Sequence, residues 1–132
     1  MSDFEYLKLT TDKQVRLITI NRPEVYNSLN KDAKAEIVNA IKEANNEAGI
    51  RCIILTGSGK AFSAGQDLND RNVQATQRAV DLGNTLKTEW NPLVNAIRNS
   101  EKVVIAAING VAAGAGLSVA MAADMITCHP KA

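Results

Sequence analysis

The sequence predicts a single α/β domain, residues 1–132, in which strands alternate with helices. Three observations carry this. Short apolar runs bounded by turn residues stand at Val15 to Ile20, Cys52 to Leu55, Val103 to Ile108 and Met125 to Cys128, as strands inside a sheet do. Between the first two, Ala33, Ile37, Ala40, Ile41 and Ala44 recur at helical spacing. The resulting order of strand, helix and strand is that of a right-handed crossover.

Taken in order, Phe4 to Thr10 and Val15 to Ile20 read as two strands with a hairpin turn at Asp12-Lys13. Pro23 then stops the second strand, because it has no N–H and biases Arg22 away from helix. Asn30 is the expected N-cap of the helix, and Gly49 lies beyond its end. Thr56-Gly57-Ser58-Gly59 closes the strand that follows. Gln74 to Asn99 is helical in composition, with a break or restart at Asn91-Pro92 and with Trp90 in the core. Val103 to Ile108 ends in a turn at Asn109-Gly110. Ala115 to Ala122 forms a short apolar helix, and Asp124 closes it by capping backbone rather than serving as a base.

With 45% apolar and 22% charged residues and a net charge of +1, the chain can bury a core. Both signs of charge are interspersed and the basic patches hold no interleaved aromatics, so no nucleic-acid footprint is present. Cys52 and Cys128 each lie in an apolar, strand-like run, which suits buried thiols rather than a disulfide or a metal site. Ser2, Asp3 and Glu5 do not make a signal peptide, and a reducing, cytoplasmic location is expected. The uncharged run Val103 to Ala123 is long enough for a bilayer. Its Ala and Gly content, its central Asn109 and its opening VVIAAI nevertheless argue for a buried strand and turn, not a membrane span.

Two glycine-rich places fail phosphate-loop templates. Around Thr56-Gly57-Ser58-Gly59-Lys60-Ala61, Ile54 stands at the first P-loop glycine and Ala61 at the Ser/Thr. At Gly114-Ala115-Gly116, Val119 stands where a dinucleotide fingerprint needs its third glycine. What remains is a pair of small-residue segments, Ala61 to Asp67 and Asn109 to Gly116, able to bring backbone close to a ligand. The second opens a helix, whose first N–H groups are unpaired. Together they suit a developing oxyanion, in carbonyl chemistry that needs no strong nucleophile. On composition alone, close packing of helix on strand explains the same residues better. Ser63 has no His/Asp pattern around it, and His129 beside Pro130 reads as a surface residue. Asp67 and Asp70 either line a pocket mouth or fix their loop.

Three motifs in order shift that balance: Asn21-Arg22-Pro23-Glu24-Val25-Tyr26-Asn27-Ser28-Leu29, Ala61-Phe62-Ser63-Ala64-Gly65-Gln66-Asp67-Leu68 and Asn109-Gly110-Val111-Ala112-Ala113-Gly114-Ala115-Gly116. In these the chain resembles the crotonase (enoyl-CoA hydratase/isomerase) superfamily over essentially its whole length. The resemblance implies a spiral of ββα units, of which this chain is the N-terminal portion. A C-terminal helical region that builds trimers, often paired into hexamers, is expected to be missing. It implies an acyl-CoA thioester as substrate, CoA being part of that substrate, with no permanently bound cofactor or metal.

By the same resemblance, the oxyanion-hole N–H groups belong to Gln66 and Ala115, and the substrate lies along Val25, Ala64, Gly65, Gln66, Asp67, Leu68 and Gly114. Gln66→Ala should then be mild, since the side chain is not the donor. Lys60 and Arg71 are placed to attract CoA phosphates. Family hydratases use two glutamates; the first position falls here on Ser118, and the second lies just beyond Ala132. Hydration is therefore disfavoured and one-base isomerisation favoured. Ala64 to Val73, Asn91 to Val94 and Gly110 to Gly116 are most similar to the ring-1,2-epoxyphenylacetyl-CoA isomerase branch of phenylacetate catabolism, whose proton-moving carboxylate would lie outside this chain. An enoyl-CoA hydratase, a Δ3,Δ2-enoyl-CoA isomerase and a non-catalytic acyl-CoA-binding fragment are the alternatives.

Overall fold

The computed structural model describes residues 3–69 and 82–132. Asp70, Arg71, Asn72 and Val73, and the segment Gln74 to Asp81 of the expected helical stretch, lie outside the described residues.

Strand β1 (Leu7–Asp12) and strand β2 (Val15–Ile20) form an antiparallel hairpin, Leu7 opposite Ile20 and Asp12 opposite Val15. Its turn is Lys13-Gln14, with Lys13 at φ 54°. The first strand begins at Leu7 rather than Phe4 because the Glu5 and Tyr6 N–H groups donate to the Glu36 carboxylate, at 2.9 and 2.8 Å, instead of to a strand. Along β2 the buried phase is Arg16, Ile18 and Ile20. Arg16 is tolerated there because its guanidinium reaches Glu47 and the Thr11 hydroxyl.

After a 3-10 turn at Pro23–Val25, helix α1 (Lys31–Asn46) starts where the Asn30 side chain accepts the Ala33 N–H at 2.7 Å. It buries Ala33, Ile37, Ala40, Ile41 and Ala44, the expected stripe, together with Lys34. Strand β3 (Cys52–Gly57) runs parallel to β2, so β2, α1 and β3 form the expected crossover unit. It extends through Thr56 and Gly57, two residues past the apolar run, because both still pair with β2.

Strand β4 (Ala61–Ser63) leaves the main sheet. Helix α2 (Leu82–Thr85), a π turn (Leu86–Trp90) and helix α3 (Asn91–Arg98) follow one another directly. The Asn91 N–H donates to the Leu86 carbonyl across this wide turn, and Pro92, which has no N–H to give, stands directly after it in the first turn of α3. Trp90 is buried, as expected.

Strand β5 (Val103–Ile108), strand β6 (Val111–Ala112), helix α4 (Ala115–Met121) and strand β7 (Met125–Cys128) complete the chain. The uncharged run at 103–123 is thus divided among two strands and a seven-residue helix. Among the described residues no helix is long and apolar enough to cross a membrane. The main sheet has the order β1-β2-β3-β5-β7, parallel from β2 onward, and β4 pairs with β6 in a small parallel sheet. Asp124 engages backbone as expected, but that of β5 rather than the end of α4, accepting the Val104 N–H at 2.8 Å while its own N–H returns to the Val104 carbonyl. The expectation of two buried thiols fails. Cys52 is half-buried, and Cys128 is exposed because, among the described residues, β7 pairs on one side only, with β5, and all four of its residues are uncovered.

Candidate active site

The site is assembled where the chain leaves β4. The Leu29 N–H donates to the Gly65 carbonyl at 2.7 Å, the Asp67 N–H to the Leu29 carbonyl at 3.0 Å, and the Ala64 N–H to the Tyr26 carbonyl at 3.0 Å. This parallel pairing of Leu29 with Gln66 engages the chain on either side of residue 66, and strand alternation turns the Gln66 N–H the other way.

Gly65 has φ 101°, a conformation that L side chains rarely adopt. A Cβ on it would stand 3.0 Å from the Ala113 carbonyl oxygen and 3.2 Å from the Ala115 nitrogen, so residue 65 lies against the start of α4. A Cβ on Gly116 would collide with the Ser63 carbonyl, which makes glycine obligatory where α4 rests on β4. Ser63 is wholly buried and its hydroxyl accepts the Gly65 N–H at 3.1 Å, an anchoring role. Among the described residues, neither the Gln66 nor the Ala115 N–H meets a protein acceptor.

Two polar clusters hold the loop. The Gln66 Oε1 accepts from Lys34 Nζ at 2.7 Å and from Trp90 Nε1 at 2.9 Å, while its Nε2 donates to the Asp67 carbonyl at 3.1 Å. Lys34 pairs with Glu89 at 2.8 Å and lies 4.2 Å from the centre of the Trp90 ring. On the other side, Asp67 pairs with Arg22 at 3.0 Å and accepts the Asn69 N–H at 2.9 Å. Of the two readings of Asp67, fixing the loop is the one these bonds describe.

Sequence reasoning missed Asn27 and Asn109. Asn27 is wholly buried at φ 56°; it accepts the Arg22 N–H and donates to the Ser58 and Ala61 carbonyls. Asn109 accepts the Gly57 N–H and donates to the carbonyls of Gly59 and Ala61. Asparagine next to a Pro turn or a Gly was the available signal, since it accepts left-handed backbone and bonds to nearby main chain.

Val25 and Ala115 are half-buried, whereas Ala64, Leu68, Gly114 and Ser118 are exposed. Ser118 stands one turn along α4 from Ala115. Lys60 is exposed, and Arg71 lies outside the described residues. A groove of about 530 Å³ between α1 and α3, lined by Val38, Ile41, Pro92 and Ala96, includes none of these residues.

A parallel sheet with a small second sheet, and a glycine loop laid against a helix start, define an enoyl-CoA hydratase/isomerase (crotonase) arrangement, and the chain belongs to that family, matching it over residues 10–132. Among proteins it is similar to, the 1,2-epoxyphenylacetyl-CoA isomerase of Escherichia coli (strain K12) is 44% identical over 122 residues, 92% of this chain and 47% of that protein. A probable enoyl-CoA hydratase of Rhodobacter capsulatus is 40% identical, over 98% of this chain and 48% of that protein. The crystal structure of an enoyl-CoA hydratase from Bacillus anthracis superposes with TM-score 0.87 at 31% identity, covering 97% of this chain and 49% of that one. The expected spiral of ββα units is thereby shown. The chain spans about half the length of the curated relatives it matches.

Proposed function

We propose that this chain is a portion of a single crotonase-like core that acts on an acyl-CoA thioester as an isomerase, stabilising a thioester enolate with the Gln66 and Ala115 N–H groups. The observation that carries this is the placing of Gly65 against the start of α4, with both N–H groups unengaged among the described residues. Hydrogen bonds aimed at charge that appears only in the transition state lower the barrier directly. Val25, Ala64 to Leu68 and Gly114 are the proposed substrate contacts. CoA enters only as part of the thioester. A ring-1,2-epoxyphenylacetyl-CoA-type substrate is favoured by the 44% identity to the relative of that name.

A hydratase is the second reading, because a relative 40% identical bears that name. Against it stands Ser118, a hydroxyl where the resemblance puts a hydratase carboxylate. A Δ3,Δ2-enoyl-CoA isomerase would use the same two N–H groups, and a binding-only role would use them without turnover. The family likeness supports a homo-trimer or hexamer, and a cytoplasmic setting is part of the same proposal.

The test is turnover by the full natural polypeptide of three thioesters: ring-epoxide, 3-enoyl and 2-enoyl. Isomerisation of the first or second with slow hydration of the third is expected. Hydration of the 2-enoyl thioester with no isomerisation would sink the isomerase reading, and tight binding without any turnover would favour the binding-only role.

A further inference from the structure

Lys34 lies on the core face of α1, with its side chain 1% exposed. Taking an ammonium out of water is costly, and an apolar residue of similar size would fill the place at less expense. Its surroundings show what the charge does. The ammonium meets Gln66 Oε1, Glu89 Oε1 and the Trp90 ring, and the Trp90 indole N–H converges on the same Gln66 oxygen. Donors from two helical segments therefore hold one end of the Gln66 side-chain amide, while the other end donates to the Asp67 carbonyl. The π turn contributes as well: being wider than an α turn, it rotates successive residues less, so Glu89 and Trp90 both face Lys34.

We propose that Lys34, Glu89 and Trp90 are positioning residues that aim the Gln66 backbone N–H through its clamped side chain. The inference rests on the oxyanion role given to that N–H above. With the side chain fixed at both ends, the Gln66 Cα and its peptide plane lose freedom to rotate, and the N–H is preorganised rather than oriented at the moment of reaction. The set links α1, the loop after β4 and the α2–α3 segment at a single oxygen.

The experiment uses the full natural polypeptide, with Lys34→Met combined with Glu89→Leu so that neither charge is left buried alone, and separately Trp90→Phe, which removes the indole donor and part of the ring while keeping an aromatic face toward Lys34. Two quantities are read: the carbonyl stretching frequency of a bound, unreactive acyl-CoA thioester, and kcat with KM. In the unsubstituted protein the stretch should lie below its value in water; its failure to do so sinks the oxyanion reading itself. In the double variant the lowering should shrink and kcat fall about tenfold with KM within about threefold, less than the roughly 10²–10³-fold cost of losing an oxyanion donor outright. Trp90→Phe should move both readouts the same way by less. An unshifted frequency and kcat in the folded double variant, against a lowered stretch in the unsubstituted protein, would overturn the positioning role and leave the oxyanion reading standing. If the double variant does not fold, Trp90→Phe decides by the same two readouts.

Discussion

At Gly65 the backbone conformation sets the loop, and at Gln66 the side chain holds the residue whose N–H is the proposed donor. Gly65→Ala puts a Cβ onto left-handed backbone 3.0 Å from the Ala113 oxygen, and a stability loss of about 1–3 kcal/mol is expected from denaturant melts. Gln66→Pro deletes the proposed donor and should lower kcat by roughly 10²–10³-fold while circular dichroism still reports the fold. Gln66→Ala, which looks mild for turnover from sequence because the donor stays, should lower kcat about tenfold by releasing the clamp and also destabilise by about 1–3 kcal/mol, because the buried Lys34 ammonium and the Trp90 indole N–H lose their shared acceptor. The reason sequence misses this is separation. Lys34 and Trp90 stand 32 and 24 residues from Gln66, and no periodicity connects them. The glycines were legible because they announce backbone geometry by themselves. The partners of a side-chain amide become visible only when the helices are in place.

Elements were legible where they repeat and cap. α1 has an N-cap asparagine and a stripe of five apolar residues, so its start and its buried face are both readable from sequence. β6 has two residues and no period, and its existence depends on β4 lying beside it. The ends of β1 and β3 were likewise decided by partners, Glu36 for one and β2 for the other. Asp124 joins two neighbouring elements, since its carboxylate and its own N–H both engage Val104 at the start of β5. Asp124→Ala should therefore cost about 1 kcal/mol, less than a core truncation, and should speed amide exchange at the start of β5. That exchange change is the check that the loss is local to the junction of α4, β5 and β7.

For the molecule as a whole, α4 and β7 leave Leu117, Met121, Met125 and Ile126 exposed, between 42% and 65%. Apolar side chains gathered in this way favour association. The 132-residue chain alone should elute larger with rising concentration in size-exclusion chromatography with light scattering, and Met121→Lys with Ile126→Lys should weaken that dependence. The parallel sheet itself was legible, because each apolar run from Val15 onward is separated from the next by a helical stretch, which a parallel crossover needs. The exposure of Cys128 was not, because the four residues of β7 have a strand's composition whether or not anything covers them. One further consequence lies in the order of the main sheet, β1-β2-β3-β5-β7, which among the described residues follows the order of the chain. A ribosome releases the N-terminus first, so each emerging strand finds the edge it needs already built. No inner slot has to be reopened for a later arrival, and β6 meets β4 in the same sequence. These described strands can thus be laid down in the direction of synthesis, each at the rim left by the one before it.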